Sequence, residues 1–447
     1  MSTGGGTRAR GLVALVASGL LLDGSAAWAR TDTLPPARAV VAGPRDVGLF
    51  PGATVARDFD HLAALVGDPH GPRDIALGPQ VYRGDLVIKR PLAIHGSKGA
   101  VVEGSGSATV LTVEASDVLL EDVTLRHSGR RHTREDAGVK ATGSGVRIVN
   151  VRVEDALFGI SLQECKRCMV QGASVVGTDD DPELRGDGIK LWESHESVVR
   201  ECLVERARDL VVWYTRHALL EGNTVRFGRY GTHFMYANDA TVRRSHLEGN
   251  VVGIFVMYSR RMLLEGNVLA GARGAAGMGL GFKDSDAVTA RGNWLVANTA
   301  GVYLDNTPRT PEEPVTFQGN VMALNDVALR LHGSEAGLSL SGNELRQNAV
   351  MVEVDGGGTA LAASLRGNHY SDYEGYDLDG NGVGDVPYEV KALSRELTDA
   401  RPALKFFYGT SALGLMDAVA HAVPVLESKT LVRDAAPLVR APEIALP

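Results

Sequence analysis

Cysteine is scarce in this chain, with three residues in 447, Cys165, Cys168 and Cys202, so no disulfide framework holds the fold and its stability comes from packing. Aromatic residues are few, 6%, while glycines number 53. That mix suits many turns and short strands better than a helical bundle. Positive charge is not in excess either. The 46 Lys and Arg against 54 Asp and Glu leave a net charge of −8, which argues against a nucleic-acid partner held by phosphate contacts. Long apolar runs are missing too, since none reaches the about 18 to 20 residues of a membrane-spanning helix. The short run Gly11 to Leu22 follows Arg8 and Arg10 and precedes the small-x-small site Ala27-Trp28-Ala29. Residues 1–29 therefore read as a cleavable signal peptide, and the expected compartment is the periplasm.

What the chain does have is repetition. Glu221-Gly222-Asn223 returns as Glu248-Gly249-Asn250, Glu265-Gly266-Asn267 and Arg291-Gly292-Asn293. A second phrase, Gly231-Thr232-His233-Phe234-Met235-Tyr236, is echoed by Gly253 to Tyr258, Gly279 to Asp284 and Gly301 to Asn306. Marking units at the Asn place gives 123, 150, 173, 202, 223, 250, 267, 293, 320, 343 and 368. Such steps accommodate three short strands and three turns, one coil of a parallel β-helix. The fold class is therefore all-β, a parallel β-helix with a short helical C-terminal segment. The expected organisation is signal peptide 1–29, linker and cap 30–74, β-helix 75–370, Asp/Gly-rich loop region 371–400, amphipathic docking segment 401–426 and a weakly ordered tail 427–447.

Alternation fixes which side chains face inward. Places one and three after the repeated Gly are core, among them Ile189, Leu191, Thr232, Phe234, Ile254 and Val256. Places two and four are expected to face solvent: Lys190/Trp192, Val211/Trp213, His233/Met235, Phe255/Met257, Gly281/Lys283 and Tyr303/Asp305. A water-facing sheet should be polar, so Trp192, Trp213, Phe255, Met235 and Met257 in stacked columns need a reason. Three are open: a covering loop or C-terminal segment, a protein docking face, or a soft-metal site of His233, Met235 and Met257. Thioether plus imidazole selects Cu(I) over harder ions.

Other motifs leave alternatives as well. Cys165-Lys166-Arg167-Cys168 is a disulfide, a soft-metal site or neither, and Cys202 reads as a small buried residue. Asp377, Asp379, Asn381 and Asp385 follow a calcium-loop spacing, but Tyr388 stands where the twelfth-place Glu belongs, so bound calcium and a structural Asp-Gly turn both fit. Thr178-Asp179-Asp180-Asp181 and Asp187 supply carboxylates for a polysaccharide-cleaving or -modifying enzyme, yet no base is paired with a sugar-binding groove.

Several phrases together resemble the NosD family, periplasmic accessory proteins for maturing nitrous oxide reductase. They are Tyr82 to Leu92, Arg185-Gly186-Asp187-Gly188-Ile189-Lys190-Leu191-Trp192, Arg229 to Tyr236, Met257-Tyr258-Ser259-Arg260-Arg261, Asn368 to Tyr373 and Asp377 to Tyr388. Thr232, Ala237 and Cys202 depart from the family's usual residues. The resemblance implies a right-handed parallel β-helix and an ABC transporter's membrane subunit as partner. It also implies copper delivery involving a copper chaperone and nitrous oxide reductase. Docking on the transporter falls to Pro402 to Val425, with Phe406, Phe407 and Leu415 as contact residues. Lys405, Asp417 and His421 there suit surface docking better than a spanning helix.

Overall fold

The computed structural model describes residues 50–333, 336–355, 359–391, 401–407, 415–416 and 430–447. All belong to the unit Arg38–Pro447, and the signal segment expected at 1–29 lies outside them. One coil illustrates the rest: strands Leu219–Glu221, Thr224–Arg226 and Tyr230–Met235 are joined by tight turns. Their stacking makes three sheets, A with 16 strands, B with 13 and C with 12. Successive coils pair in parallel, as in Leu219 with Thr241 and Thr224 with His246. Strands of three residues suffice because each gains ladder bonds from the coils above and below. The inward residues Ile189, Leu191, Phe234, Ile254, Val256 and Phe282 are buried, and each such side chain contributes roughly 1.5–3 kcal/mol.

Asparagine holds the corners. At the A-to-B turn a residue with positive φ, such as Gly222 at 63°, precedes a buried Asn whose side chain bonds the preceding coil twice. Asn223 Nδ2 donates to the Val199 carbonyl at 2.9 Å, and its Oδ1 accepts from the Cys202 N–H at 3.0 Å. The same pattern runs through Asn267, Asn293, Asn320, Asn343 and Asn368. Such a bond is worth about 1 kcal/mol made and costs roughly 1–3 kcal/mol when a buried partner is left alone.

Two of the expected Asn places are corrected. Ser245, not Asn250, stands beside Asn223, because Thr224 pairs with His246. Asn250 belongs to a second ladder at the B-to-C turn, with Asn298, Asn325 and Asn348, and accepts from the Gly228 N–H at 2.9 Å. Likewise Arg152 pairs with Thr124, which puts Val151 at the ladder place and Asn150, φ 52°, at the left-handed place. Both corners need a left-handed residue and an amide acceptor, so Gly-Asn alone does not say which corner it makes. The C-to-A corner uses hydroxyls instead, Ser194, Thr215, Ser259, Ser285 and Thr307.

The ends also differ from expectation. Sheet A begins at Thr54–Ala56, inside the segment read as linker and cap, and pairs with Asp74–Leu77. Helix Phe59–Gly67 follows, capped by the Asp58 carboxylate, which accepts from the His61 N–H at 2.8 Å. At the other end 427–447 is not a loose tail in its described part. Thr430–Asp434 adds to sheet A beside Leu365 and pairs antiparallel with Tyr388–Lys391. The chain then runs back along the solenoid, where Trp294 Nε1 donates to the Ala445 carbonyl at 3.2 Å. Cys165 and Cys168 form a disulfide, which removes the soft-metal alternative for that pair.

Candidate functional site

Sheet C aligns the two columns as the alternation requires. Trp192, Trp213, Met235, Met257 and Lys283 are successive partners, and so are Lys190, Val211, His233, Phe255 and Gly281. The two thioether side chains thus leave adjacent strands, about 4.8 Å apart. Gly281 makes room at the end of the second column, since a Cβ there would come within 2.8 Å of the Phe255 ring.

The expectation that both columns face water holds only in part. Trp192, Trp213, Met235, Phe255 and Met257 are half-buried, whereas Lys190, Val211 and His233 are 6%, 0% and 6% exposed. Their cover comes from residues that local pattern does not reveal. Glu135 reaches from two coils earlier to pair with Lys190, and Tyr230 packs on His233 and Phe255, with centroids at 4.8 and 5.6 Å.

Aromatic contacts run the length of the face. Trp192 and Trp213 meet edge to face at 5.9 Å, and Trp213 meets His233 at 5.3 Å and 90°. At the adjoining left-handed turn Tyr214, Tyr236 and Tyr258 stack at 5.3 and 5.1 Å, nearly parallel. Their φ values are 50–52°, a conformation that non-glycine residues adopt at about 1–2 kcal/mol. Tyr214 and Tyr236 remain exposed.

At the start of these sheet C strands two buried carboxylates pair with half-buried arginines. Arg208 Nη2 lies 2.9 Å from Asp187 Oδ1, and Arg229 Nη2 2.5 Å from Asp209 Oδ2. Burial pushes the Asp187 carboxyl above its ordinary value, with Arg208 only partly opposing it. Burial acts on Asp209 too, but His233 and Arg229 outweigh it and hold that carboxyl low. His233 Nδ1 is 3.6 Å from Asp209 Oδ2, too long for a hydrogen bond, and neither ring nitrogen has a hydrogen-bond partner in its buried setting. Imidazole and thioether are the donors a soft monovalent metal prefers, and His233 shares its strand with Met235, whose partner on the next strand is Met257.

The remaining predicted residues lie elsewhere. Phe406, in the 3-10 helix Pro402–Phe407, is 87% exposed, and Phe407 and Leu415 are exposed as well. The rest of 401–426 lies outside the described residues apart from Arg401 and Met416. In the Asp377 loop the carboxylates serve the backbone: Asp377 accepts from the N–H groups of Gly380, Asn381 and Gly382 at 2.8, 3.1 and 2.8 Å. Asp385 Oδ2 accepts from Leu378 N–H at 2.7 Å, and Asn381 Oδ1 from Val383 N–H at 2.7 Å. Among the described residues no three His, Cys, Asp or Glu side chains are grouped to hold a metal. A polar cleft of about 820 Å³ opens between Arg130, His132 and Thr178 to Asp180, at the opposite end of the sheet C strands from the Trp and Met column.

Sequence pattern had missed Glu135, Arg229 and Tyr230. Only the Asp209 place hinted at them, an acid standing where neighbouring coils carry Gly.

Fold and face together define a class, a parallel β-solenoid that presents one aromatic and thioether sheet. The family model described as Periplasmic copper-binding protein (NosD) matches residues 171–375. A Pseudomonas aeruginosa protein named Probable ABC transporter binding protein NosD is 29% identical over 435 residues, covering 90% of this chain and 96% of that one. A Stutzerimonas stutzeri protein of the same name is 26% identical over 426 residues, 88% and 93% of the two chains. The chain belongs to the NosD family. Among solved structures, the catalytic domain of a GH87 α-1,3-glucanase in complex with tetrasaccharides matches at TM-score 0.53 and 10% identity, over 70% of this chain and 68% of that one. At that identity the likeness is one of fold.

Proposed function

We propose that this is a periplasmic accessory protein that docks on an ABC transporter and supports maturation of the copper clusters of nitrous oxide reductase, with Cu(I) as cargo. The observation that carries it is the corner of Met235, Met257 and His233, two thioethers in register beside an imidazole without hydrogen bonds. These residues would hold Cu(I), which is soft and prefers such donors. The family description and the relatives' names support the compartment, the copper and the transporter. Exposed Phe406, Phe407 and Leu415 would meet the transporter's membrane subunit. The aromatic strip would meet the copper partners, the chaperone and the reductase.

The alternative, a polysaccharide enzyme, finds less support. Sugar rings stack on aromatic faces, and here both faces of Tyr236 are taken by Tyr214 and Tyr258. The buried carboxylates Asp187 and Asp209 are each tied to an arginine. Cu(I) stoichiometry of the mature protein is the test: one Cu(I) per chain is expected, and loss of it in Met235→Ala/Met257→Ala. Equal stoichiometry in the two proteins sinks the copper corner. Normal transporter binding after deletion of Pro402 to Val425 sinks the docking assignment independently.

A further inference from the structure

Lys190 places a charge where packing alone needs none. It stands outward on the strand Ile189–Trp192 yet is 6% exposed. Its ammonium pairs with Glu135, which follows the 3-10 helix His132–Arg134, and Glu135 is held in turn by Gln163 Nε2 at 2.7 Å. The same ammonium lies 5.2 Å from the Trp192 ring centroid and 5.9 Å from that of Trp213. Both distances are within cation–π range. Trp213 Nε1 is buried without a hydrogen-bond partner, so no hydrogen bond from the indole N–H sets the ring's orientation. Burying an ammonium with a single carboxylate is at best neutral for stability compared with an apolar side chain of similar volume. What the ammonium holds explains its presence better than what it stabilises.

We infer that Lys190, clamped by Glu135, is a positioning residue: it fixes the Trp192 and Trp213 indoles so that Trp213 walls the His233, Met235 and Met257 corner. Trp213 is the link in that chain, since it is in register with Met235 and edge-on to His233. The metal side of the inference rests on the Cu(I) role proposed above. The indole side does not.

The test uses the mature full chain in a Trp294→Phe background, so that Trp192 and Trp213 alone report, and Ag(I) as the probe. Lys190→Met is expected to keep the thermal midpoint of the parent, to lose the near-ultraviolet circular dichroism of the indole pair, and to bind Ag(I) about tenfold more weakly. Lys190→Arg, which keeps the charge, should restore the spectrum and the affinity. An unchanged indole spectrum in Lys190→Met overturns the inference. So does a fall in thermal midpoint that Lys190→Arg does not repair, because that marks a merely structural residue. Should Lys190→Met fail to fold, Glu135→Gln tests the same clamp from a partly exposed side chain, with an unchanged spectrum again counting against it. A parent protein that binds no Ag(I) removes the copper corner while the spectra still decide what Lys190 does.

Discussion

Asp434 ends the asparagine ladder by accepting from Asn368 twice, through Oδ2 at 3.2 Å from the backbone N–H and at 2.9 Å from the side-chain amide. The Tyr370 hydroxyl donates to the same oxygen at 3.2 Å. A ladder of amides passes each donor to the next coil and needs a last acceptor with nothing to pass on, which a carboxylate supplies. Asp434→Ala should therefore cost about 3 kcal/mol, the scale of leaving buried donors unpaired. It should lower the urea midpoint with little change in slope. An unchanged midpoint would mean that the strand Thr430–Asp434 is dispensable.

Thiol chemistry gives a second expectation. Burial pushes the Cys202 thiol up to about 12, and Cys165 and Cys168 are joined. The folded protein should take up no iodoacetamide at pH 8 and one equivalent once unfolded without reductant, read by mass. Because the disulfide closes a very short loop, Cys165→Ser/Cys168→Ser should cost no more than about 2 kcal/mol on the chain-entropy account. Rapid labelling of the native protein would show Cys202 to be accessible.

The coil and its sheet C columns are legible in the chain because Gly marks each strand's start and side chains alternate from there. Trp213 opposite Met235 and Met235 opposite Met257 follow from counting. Contacts between coils are not legible that way. Glu135 and Lys190 are 55 residues apart, and no periodicity links a loop to a strand two coils on, so the cover over Lys190 and His233 went unread. Thr430–Asp434 is hidden for the same reason, its partner Leu365 lying more than 60 residues back in the chain, at about the spacing of two to three coils.

Two histidines on sheet B predict the acid limb of stability. Burial holds both His246 and His369 below the usual histidine range, with Glu248 and Glu344 respectively only partly opposing it. A depressed folded value means that the unfolded chain binds protons first. Stability is therefore full above about pH 6.5 and falls as pH drops through the unfolded value towards the folded ones. His246→Gln should flatten the urea-midpoint profile between about pH 7 and 5. A variant as steep as the parent in that window would exclude His246 as a source.

Tyr236 separates the face from the fold. Its left-handed backbone, φ 51°, costs about 1–2 kcal/mol relative to glycine. Stacking on Tyr214 and Tyr258 returns about 0.5–1.5 kcal/mol per neighbour. The two neighbours together return about 1–3 kcal/mol against that cost, so Tyr236→Gly should destabilise the fold by no more than about 2 kcal/mol. If the exposed ladder is a docking edge, the same change removes a central aromatic contact. Affinity for copper-free nitrous oxide reductase should then drop at least about tenfold, the scale of an interface hot spot. Binding to the transporter, which the proposed function assigns to Phe406, Phe407 and Leu415, should be unaffected. Calorimetry with both partners reads the difference. Loss of stability with affinity retained would make the tyrosines part of the solenoid's own scaffold, whereas loss of affinity alone makes the strained, stacked ladder a feature kept for its partner.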